Sequence, residues 1–326
     1  MFRAFRIFEE SGKFIRKIVE RTINDLPQGD VLIQVKYSAL NYKDALSASG
    51  HKGITRVYPH TPGIDAAGIV VASSSQGFKT GEQVLVTGYD LGMNTDGGFG
   101  EYIRVPAAWV VRLPDNLNLL ESMILGTAGF TAGIAIYEFQ RRGLNPDKGE
   151  ILVTGATGGV GTIATAILSH IGYQVVASTG KSSQTAFLKS IGATEIIARD
   201  SVVDNARKPL LERKWAGAID NVGGSTLNYC IKSTDYWGTV ACVGLVASDK
   251  LETTVYPFLL RGVGLVGIDS ADRPMPLRLE IWNKLSDNWK PNVLDKIYRE
   301  ITIDELSDEL DKMLAGEQSG RVIVKY

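Results

Sequence analysis

Two short stretches hold residues whose types and spacing could do chemistry. The first, Asn41-Tyr42-Lys43-Asp44, sets an amide, a phenol, an ammonium and a carboxylate side by side. Asn41 and Tyr42 are donors of the kind that orient a carbonyl and steady negative charge developing on its oxygen. Asp44 could organise a turn or a water. The same residues also read as a helix start, with Asn41 as N-cap and Asp44 as the acid of the first turn. The two roles can coexist at Asn41.

The second stretch, ILVTGATGGVG at 151–161, is an apolar run that ends in glycines and opens a helix-like segment. Against the pattern G-x-G-x-x-G, Ala156 takes the first glycine position and Gly158 and Gly161 the other two. Gly158 would let backbone approach a pyrophosphate, and Gly161 would let the helix lie close to the strand. The N–H groups that open the helix, from Thr157, Gly159 and Val160 onward, would face the anion. A tight turn without ligand is the plainer alternative. The strand before and the helix after favour dinucleotide binding.

The occupant is indicated one strand later. An NAD site places Asp or Glu about 20 residues on, at the end of the second strand. Here that strand ends in Ser178-Thr179-Gly180-Lys181, with no acid. Hydroxyls and an ammonium suit a 2′-phosphate, which a carboxylate would repel. Arg199, after the third strand, could add a second cation. The expected cofactor is NADPH/NADP+. Asn221, Val222 and Gly223 after the fourth strand, and Gly244 and Leu245 after the fifth, would line the same crevice, or serve only as turns.

The elements that must position these residues follow from the pattern. Residues 1–122 read as short strands split by Gly, Pro and polar turns. In DVLIQVKYS, Val31, Ile33, Val35 and Tyr37 should face one way and Gln34, Lys36 and Ser38 the other. Residues 123–262 alternate apolar strands with helices, the signature of a parallel sheet covered on both faces. Two amphipathic helices near 275–289 and 303–314 and a final strand, GRVIVKY, should rejoin the first part. The expected fold is α/β: a Rossmann-type doubly wound domain (123–262) plus a discontinuous β-barrel domain (1–122 and 263–326).

Bulk properties narrow the partners. The 326 residues carry a net charge of −1, so no global basic field draws in nucleic acid or an anionic membrane. The N-terminus lacks a signal-peptide apolar core, and no run of about 18 uncharged apolar residues suggests a membrane span. Two cysteines argue against a disulfide framework and suit a reducing cytoplasm. The three histidines, His51, His60 and His170, read as loop and surface residues, so no metal site is expected. The basic stretch around Lys52 and Arg56 is either a solvated loop or a contact for CoA phosphates.

NYKDALSASG, PGIDAAG, GTAGFTAGIA, TGATGGVG, GAIDNVGG and PFLLRGVGLVGIDS occur in this order across nearly the whole chain. In these the sequence resembles the zinc-independent quinone-oxidoreductase branch of the medium-chain dehydrogenase/reductase superfamily, and within it the acrylyl-CoA reductase group. The resemblance implies a GroES-like catalytic barrel around a Rossmann domain. Zinc-dependent relatives carry a His-Glu pair where this chain has Gly63-Ile64-Asp65. The resemblance implies that Tyr42 lies next to the nicotinamide and that Thr157 to Val160 hold the pyrophosphate. It gives Thr179, Gly180 and Lys181 to the 2′-phosphate, and Arg199, Leu245 and Ser270 to further cofactor contacts. Lys181 stands where relatives carry Arg. The implied activity is NADPH-dependent reduction of acryloyl-CoA or a related 2-enoyl-CoA, with hydride reaching the β-carbon and a proton the α-carbon. Reduction of quinones or other enones is the alternative, and a non-catalytic, crystallin-like NADPH-binding protein a third. A homodimer joined along GVGLVGID is implied as well.

Overall fold

The computed structural model describes residues 1–204 and 208–326. The first strands are β1 (Phe2–Glu10), β2 (Lys13–Arg21), β3 (Val31–Ala39), β4 (Asp65–Ser73), β5 (Gln83–Thr87), β6 (Tyr102–Val105) and β7 (Val111–Arg112). Next come β8 (Ile151–Val153), β9 (Val175–Thr179), β10 (Glu195–Ala198), β11 (Trp215–Asp220), β12 (Thr234–Cys242) and β13 (Gly264–Gly267). The chain ends with β14 (Tyr298–Ile301) and β15 (Arg321–Lys325). The helices are α1 (Tyr42–Ala48), α2 (Leu119–Arg141), α3 (Gly159–His170), α4 (Thr185–Ser190), α5 (Gly224–Ser233), α6 (Tyr256–Arg261), α7 (Met275–Ser286) and α8 (Leu306–Leu314). Two compact units result. One comprises Met1–Thr127, Ala271–Ser286 and Tyr298–Tyr326, the other Ala128–Ser270 and Asp287–Ile297.

The first unit is the GroES-like one. Its main sheet runs β14-β15-β3-β4-β5-β7, with β6 on β3, and a separate hairpin joins β1 to β2. One core cluster gathers Val31, Ile33, Val35, Val70, Val84, Val86 and Ile103. A second packs Phe5, Ile7, Leu40 and Phe99 with Leu306 and Leu310 of α8. The alternation expected of β3 fails at its end. The register against β4 slips between Val35 and Tyr37, and the extra residue turns the strand over. Ser38, expected outside, is fully buried and its hydroxyl donates to the Asp65 carbonyl at 2.6 Å.

The second unit is a six-stranded parallel sheet in the order β10-β9-β8-β11-β12-β13. Numbered from β8, this is the doubly wound order 3-2-1-4-5-6, whose switch point falls between β8 and β11. Its central strands β8, β9 and β11 are buried along their whole length because helices cover both faces, with Leu152, Val176, Ala218 and Val240 in one cluster.

Helix α2 passes, by length and composition, for a membrane span, and 78% of its most apolar window is buried inside the protein. Gly126 breaks its dihedrals at φ 51°, ψ −154°.

Candidate functional site

The glycine loop leaves β8 and enters α3 at Gly159, with Gly158 as N-cap. Two hydrogen bonds set the turn: Gly158 N–H donates to Gly155 O and Ala156 N–H to Ser178 O, each at 3.0 Å. A Cβ on Gly161 would lie 2.4 Å from Gly155 O and 2.7 Å from Ala156 Cα, so α3 rests directly on the turn. At Gly158 a Cβ would meet only Gly155 O, at 3.3 Å, a tighter contact than usual but with no other atom within 4 Å. Thr157 Oγ1 stands 3.4 Å from Thr179 Oγ1, which ties the loop to the end of β9.

The neighbouring strand ends close the crevice. Lys181 N–H donates to Thr179 Oγ1 at 3.0 Å. The Arg199 guanidinium lies over Gly180, where a Cβ would stand 3.2 Å from Arg199 Cζ. Arg199 is 63% exposed and only loosely paired with the exposed Asp200, at 3.6 Å. Gly180, Lys181 and Arg199 thus form one cationic corner. Across the switch point, Asn221 Nδ2 donates to Thr154 O at 2.7 Å. Buried Asp220 accepts from Thr154 Oγ1 at 2.6 Å and from Gly223 N at 2.7 Å, and burial raises its pKa. Asp220 is therefore a brace for the strand end. Ser178 Oγ and Asn221 Oδ1 are buried without a hydrogen-bond partner. Unpaired buried polar atoms are costly, and a polar ligand in the crevice would satisfy them. The loop, the cationic corner and these two atoms fit a phosphorylated dinucleotide.

Leu245 is 64% exposed, and its Cα lies 3.0 Å from where a Gly223 Cβ would be, beside Asn221. Ser270 Oγ accepts from Thr131 Oγ1 at 2.9 Å.

In the first unit, Tyr42 opens α1 and is 43% exposed. The two acceptor oxygens of Asp44 are spent on backbone. Asn41 N donates to Oδ2 at 2.8 Å, and Gly63 N and Ile64 N donate to Oδ1 at 3.1 and 2.9 Å. Asp44 is fully buried and ties the start of α1 to the 63–64 turn. Both donors of the Asn41 amide are also engaged, with Asp65 Oδ2 at 2.8 Å and Ala39 O at 3.1 Å. Its Oδ1 accepts from Arg321 Nη1 at 3.2 Å. Asp65 further accepts from Thr127 N at 2.9 Å and Thr127 Oγ1 at 2.6 Å, and lies 3.6 Å from Arg321 Nη2. Of the residues in NYKD expected to meet substrate, Tyr42 alone is exposed. Asn41 and Asp44 hold it in place.

Burial, helped by the neighbouring Asp65 and opposed by the three N–H donors, pushes the Asp44 carboxyl up to about 7. Burial also raises Asp65, which Arg321 opposes, and lowers the Arg321 guanidinium. The sign of the pH effect follows. Between about pH 4 and 7 the unfolded chain loses the Asp44 proton while the folded chain keeps it, so stability falls as pH rises. Chemical denaturation is expected to show wild type losing stability relative to Asp44→Asn across that window. A pH-independent difference would refute the shift.

Histidine placement corrects one expectation. His60 is 3% exposed, not a surface residue, because the β1–β2 hairpin covers it. Its Nε2 bonds Gly92 O at 2.8 Å, and burial lowers its pKa. Among the described residues, no three His, Cys, Asp or Glu side chains lie together as a metal-binding group. Lys52 is taken up by Glu9 at 2.8 Å and lies over the rings of Phe14 and Tyr58, while Arg56 is exposed.

Residues 159–282 match the family described as zinc-binding dehydrogenase, and residues 27–115 the alcohol dehydrogenase GroES-like domain. The chain is 47% identical over its full length to the putative quinone oxidoreductase YhfP of Bacillus subtilis, covering 99% of that protein. The chain belongs to the medium-chain dehydrogenase/reductase superfamily. Within the superfamily it is also 43% identical to the acrylyl-CoA reductase AcuI of Ruegeria pomeroyi, over 97% of this chain and 96% of that one. The crystal structure of the YhdH oxidoreductase from Salmonella enterica in complex with NADP superposes with a TM-score of 0.97 at 40% identity, covering 99% of each chain. That of Bacillus subtilis YhfP with NAD bound gives 0.97 at 44%, covering 100% of this chain and 99% of that one. This member of the superfamily is an oxidoreductase.

Sequence reasoning missed Asp65, Thr127, Arg321 and Asp220 as parts of the site. The available signal was a charge inside an apolar strand, as in DAAGIVV, GAID and RVIVK; such charges are rarely buried unless paired.

Proposed function

We propose that this chain is a zinc-independent, NADPH-dependent reductase of an activated carbon–carbon double bond, acting on acryloyl-CoA or a related 2-enoyl-CoA. The observation that carries the reading is end-to-end likeness to an acrylyl-CoA reductase, in a chain whose β9 end bears Lys181 and Arg199 and no acid. The Bacillus relative, solved with NAD, keeps NADH in play as a poorer cofactor.

NADPH, when bound, supplies a hydride. Thr157 to Gly161 and the start of α3 would hold its pyrophosphate. Thr179, Gly180, Lys181 and Arg199 would hold the 2′-phosphate, and Ser178 and Asn221 would meet polar groups in the crevice. Leu245 and Ser270 are assigned to the crevice by resemblance. Tyr42 would donate to the substrate carbonyl oxygen as negative charge grows there, and it or a water ordered on it would pass a proton to the α-carbon. The donor set at Gly63-Ile64-Asp65 supports zinc independence, because the carboxylate is already taken by Thr127, Asn41 and Arg321.

A second reading, reduction of quinones, is favoured by the likeness to YhfP. The deciding experiment follows NADPH oxidation with acryloyl-CoA, crotonyl-CoA and a benzoquinone, with and without EDTA. The proposal expects turnover on acryloyl-CoA that exceeds the quinone rate and ignores EDTA. Quinone turnover alone would transfer the assignment, and turnover of none would leave a binding protein.

A homodimer is also proposed. β13 is an edge strand, and the surface around it exposes Trp237 (78%), Leu259 (75%) and Leu260 (58%). An open apolar edge invites pairing with a second copy. Light scattering on the same preparation should give twice the chain mass; the mass of one chain would refute it.

A further inference from the structure

The Asp65–Arg321 pair has no counterpart in what the proposed reaction needs from a substrate pocket. Both side chains are buried, Asp65 completely and Arg321 to 3% exposure. A buried ion pair is poor value as a source of stability, since packed apolar residues of similar volume serve as well or better. What it adds is direction, and here the direction is specific. Arg321 donates to Leu40 O and Asn41 Oδ1, each at 3.2 Å, and through Nε to Ile124 O at 3.1 Å. Asp65 accepts from Asn41 Nδ2 and from Thr127, just past the kink of α2. A Cβ on Gly126 would lie 2.5 Å from Asp65 Oδ2 and 2.9 Å from Arg321 Nη2, so the kink is shaped around the pair. The contacts of the pair thus fall in two places, the 124–127 stretch of α2 and residues 40–41, and the next residue after Asn41 is Tyr42.

We propose that Asp65 and Arg321 are positioning residues: they grip the Asn41 side chain from its two ends and, through it, fix the first turn of α1 and the aim of Tyr42. The inference rests on the role given to Tyr42 above. It assigns Asn41 the part of a link between the ion pair and the phenol. A small rotation of α1 would displace the phenol oxygen.

A double-mutant cycle between Asp65→Asn and Tyr42→Phe tests this, with NADPH and the acceptor that the assay above finds turned over. Asp65→Asn is expected to lower kcat about tenfold, the scale of loss when a reacting group is slightly misplaced, with the NADPH Kd within about twofold. Adding Tyr42→Phe should then cost little more, because both changes remove the same contribution. Multiplying losses, or wild-type kcat in Asp65→Asn, would overturn the proposal. Should Asp65→Asn not fold, Arg321→Lys, which keeps the charge and loses the fork, takes its place in the cycle. If Tyr42→Phe alone leaves kcat unchanged, the role of Tyr42 in the reaction fails as well, whereas a costly but additive Tyr42→Phe overturns only the positioning. A second readout needs no turnover: the ring carbon signal of Tyr42 in protein labelled with ¹³C-tyrosine. It should move in Asp65→Asn; an unmoved signal also overturns the proposal.

Discussion

Replacing Lys181 and Arg199 together by alanine is expected to weaken NADPH binding roughly 30-fold while changing NADH binding by less than about twofold. The figure follows from two charge-assisted contacts to one phosphate. Each is discounted to about 1 kcal/mol because the corner is open to water and screened by salt, and every 1.4 kcal/mol is tenfold in affinity. The Arg199 side chain is 63% exposed, which is why the larger values seen for buried pairs do not apply. The two residues belong to the same strand end, since Arg199 lies over Gly180 and Lys181 is the next residue. The 2′-phosphate is the only group by which NADPH exceeds NADH, so its anchors should be silent toward NADH. Fluorescence titration of both nucleotides against wild type and the double variant measures this. Parallel losses for NADPH and NADH would show that the corner binds something common to both, such as the pyrophosphate. No loss for either would remove it from the site. The relative solved with NAD makes the experiment informative, because a shared fold evidently accommodates either nucleotide and the side chains at the end of β9 must decide.

The parallel sheet was legible in the sequence because its central strands are apolar along their whole length and the first two helices between them close on a glycine. Gly172 and Gly192 sit past α3 and α4 with φ of 92° and 108°, where the pattern placed them. The crevice was legible for the same reason: the fold puts strand ends there, so Thr179, Lys181 and Asn221 could be named from their position alone. The GroES-like unit was harder to read. Its face alternation depends on bulges, and the one before Tyr37 buried a serine that a strict period of two had placed outside. The hairpin β1–β2 was hidden because FRAFRIF does not alternate, Ala4 and Phe5 being adjacent and both buried, and with it the burial of His60. The network of Asn41, Asp65, Thr127 and Arg321 was out of reach because its bonded pairs are separated by 24, 62 and 280 residues along the chain. Local spacing carries no information about such contacts. NYKD showed four polar groups in a row, and only the tertiary fold reveals that two, Asn41 and Asp44, are buried braces and that Tyr42 is exposed.

Two alanine substitutions at one helix end, Gly161→Ala and Gly158→Ala, should separate folding from binding. At Gly161 a Cβ would stand 2.4 Å from Gly155 O, 2.7 Å from Ala156 Cα and 3.0 Å from Gly155 C. All three are backbone atoms of the turn, so no side chain can rotate away and α3 itself must lift. The turn it rests on is also bonded to α3 by Thr162 Oγ1 to Ala156 O at 3.1 Å and Thr162 N to Gly158 O at 2.9 Å. Lifting strains both. Overpacking of this kind costs ~2 kcal/mol, which should lower Tm by roughly 4–8 °C, and NADPH affinity should fall with it because the N–H groups lose their aim. At Gly158 the same added carbon meets only Gly155 O, at 3.3 Å, and φ is −76°, an angle any residue adopts. Gly158→Ala should therefore keep the wild-type Tm within about 2 °C. Its methyl instead takes the space through which a pyrophosphate would approach the backbone, and NADPH binding should weaken by about tenfold or more. Calorimetry and nucleotide titration on the two variants decide the matter. If Gly158→Ala binds NADPH as wild type does, the phosphate does not pass over Gly158, and the glycine there serves the turn alone. If Gly161→Ala keeps its Tm, the close rest of α3 on the turn is not what holds the loop in shape.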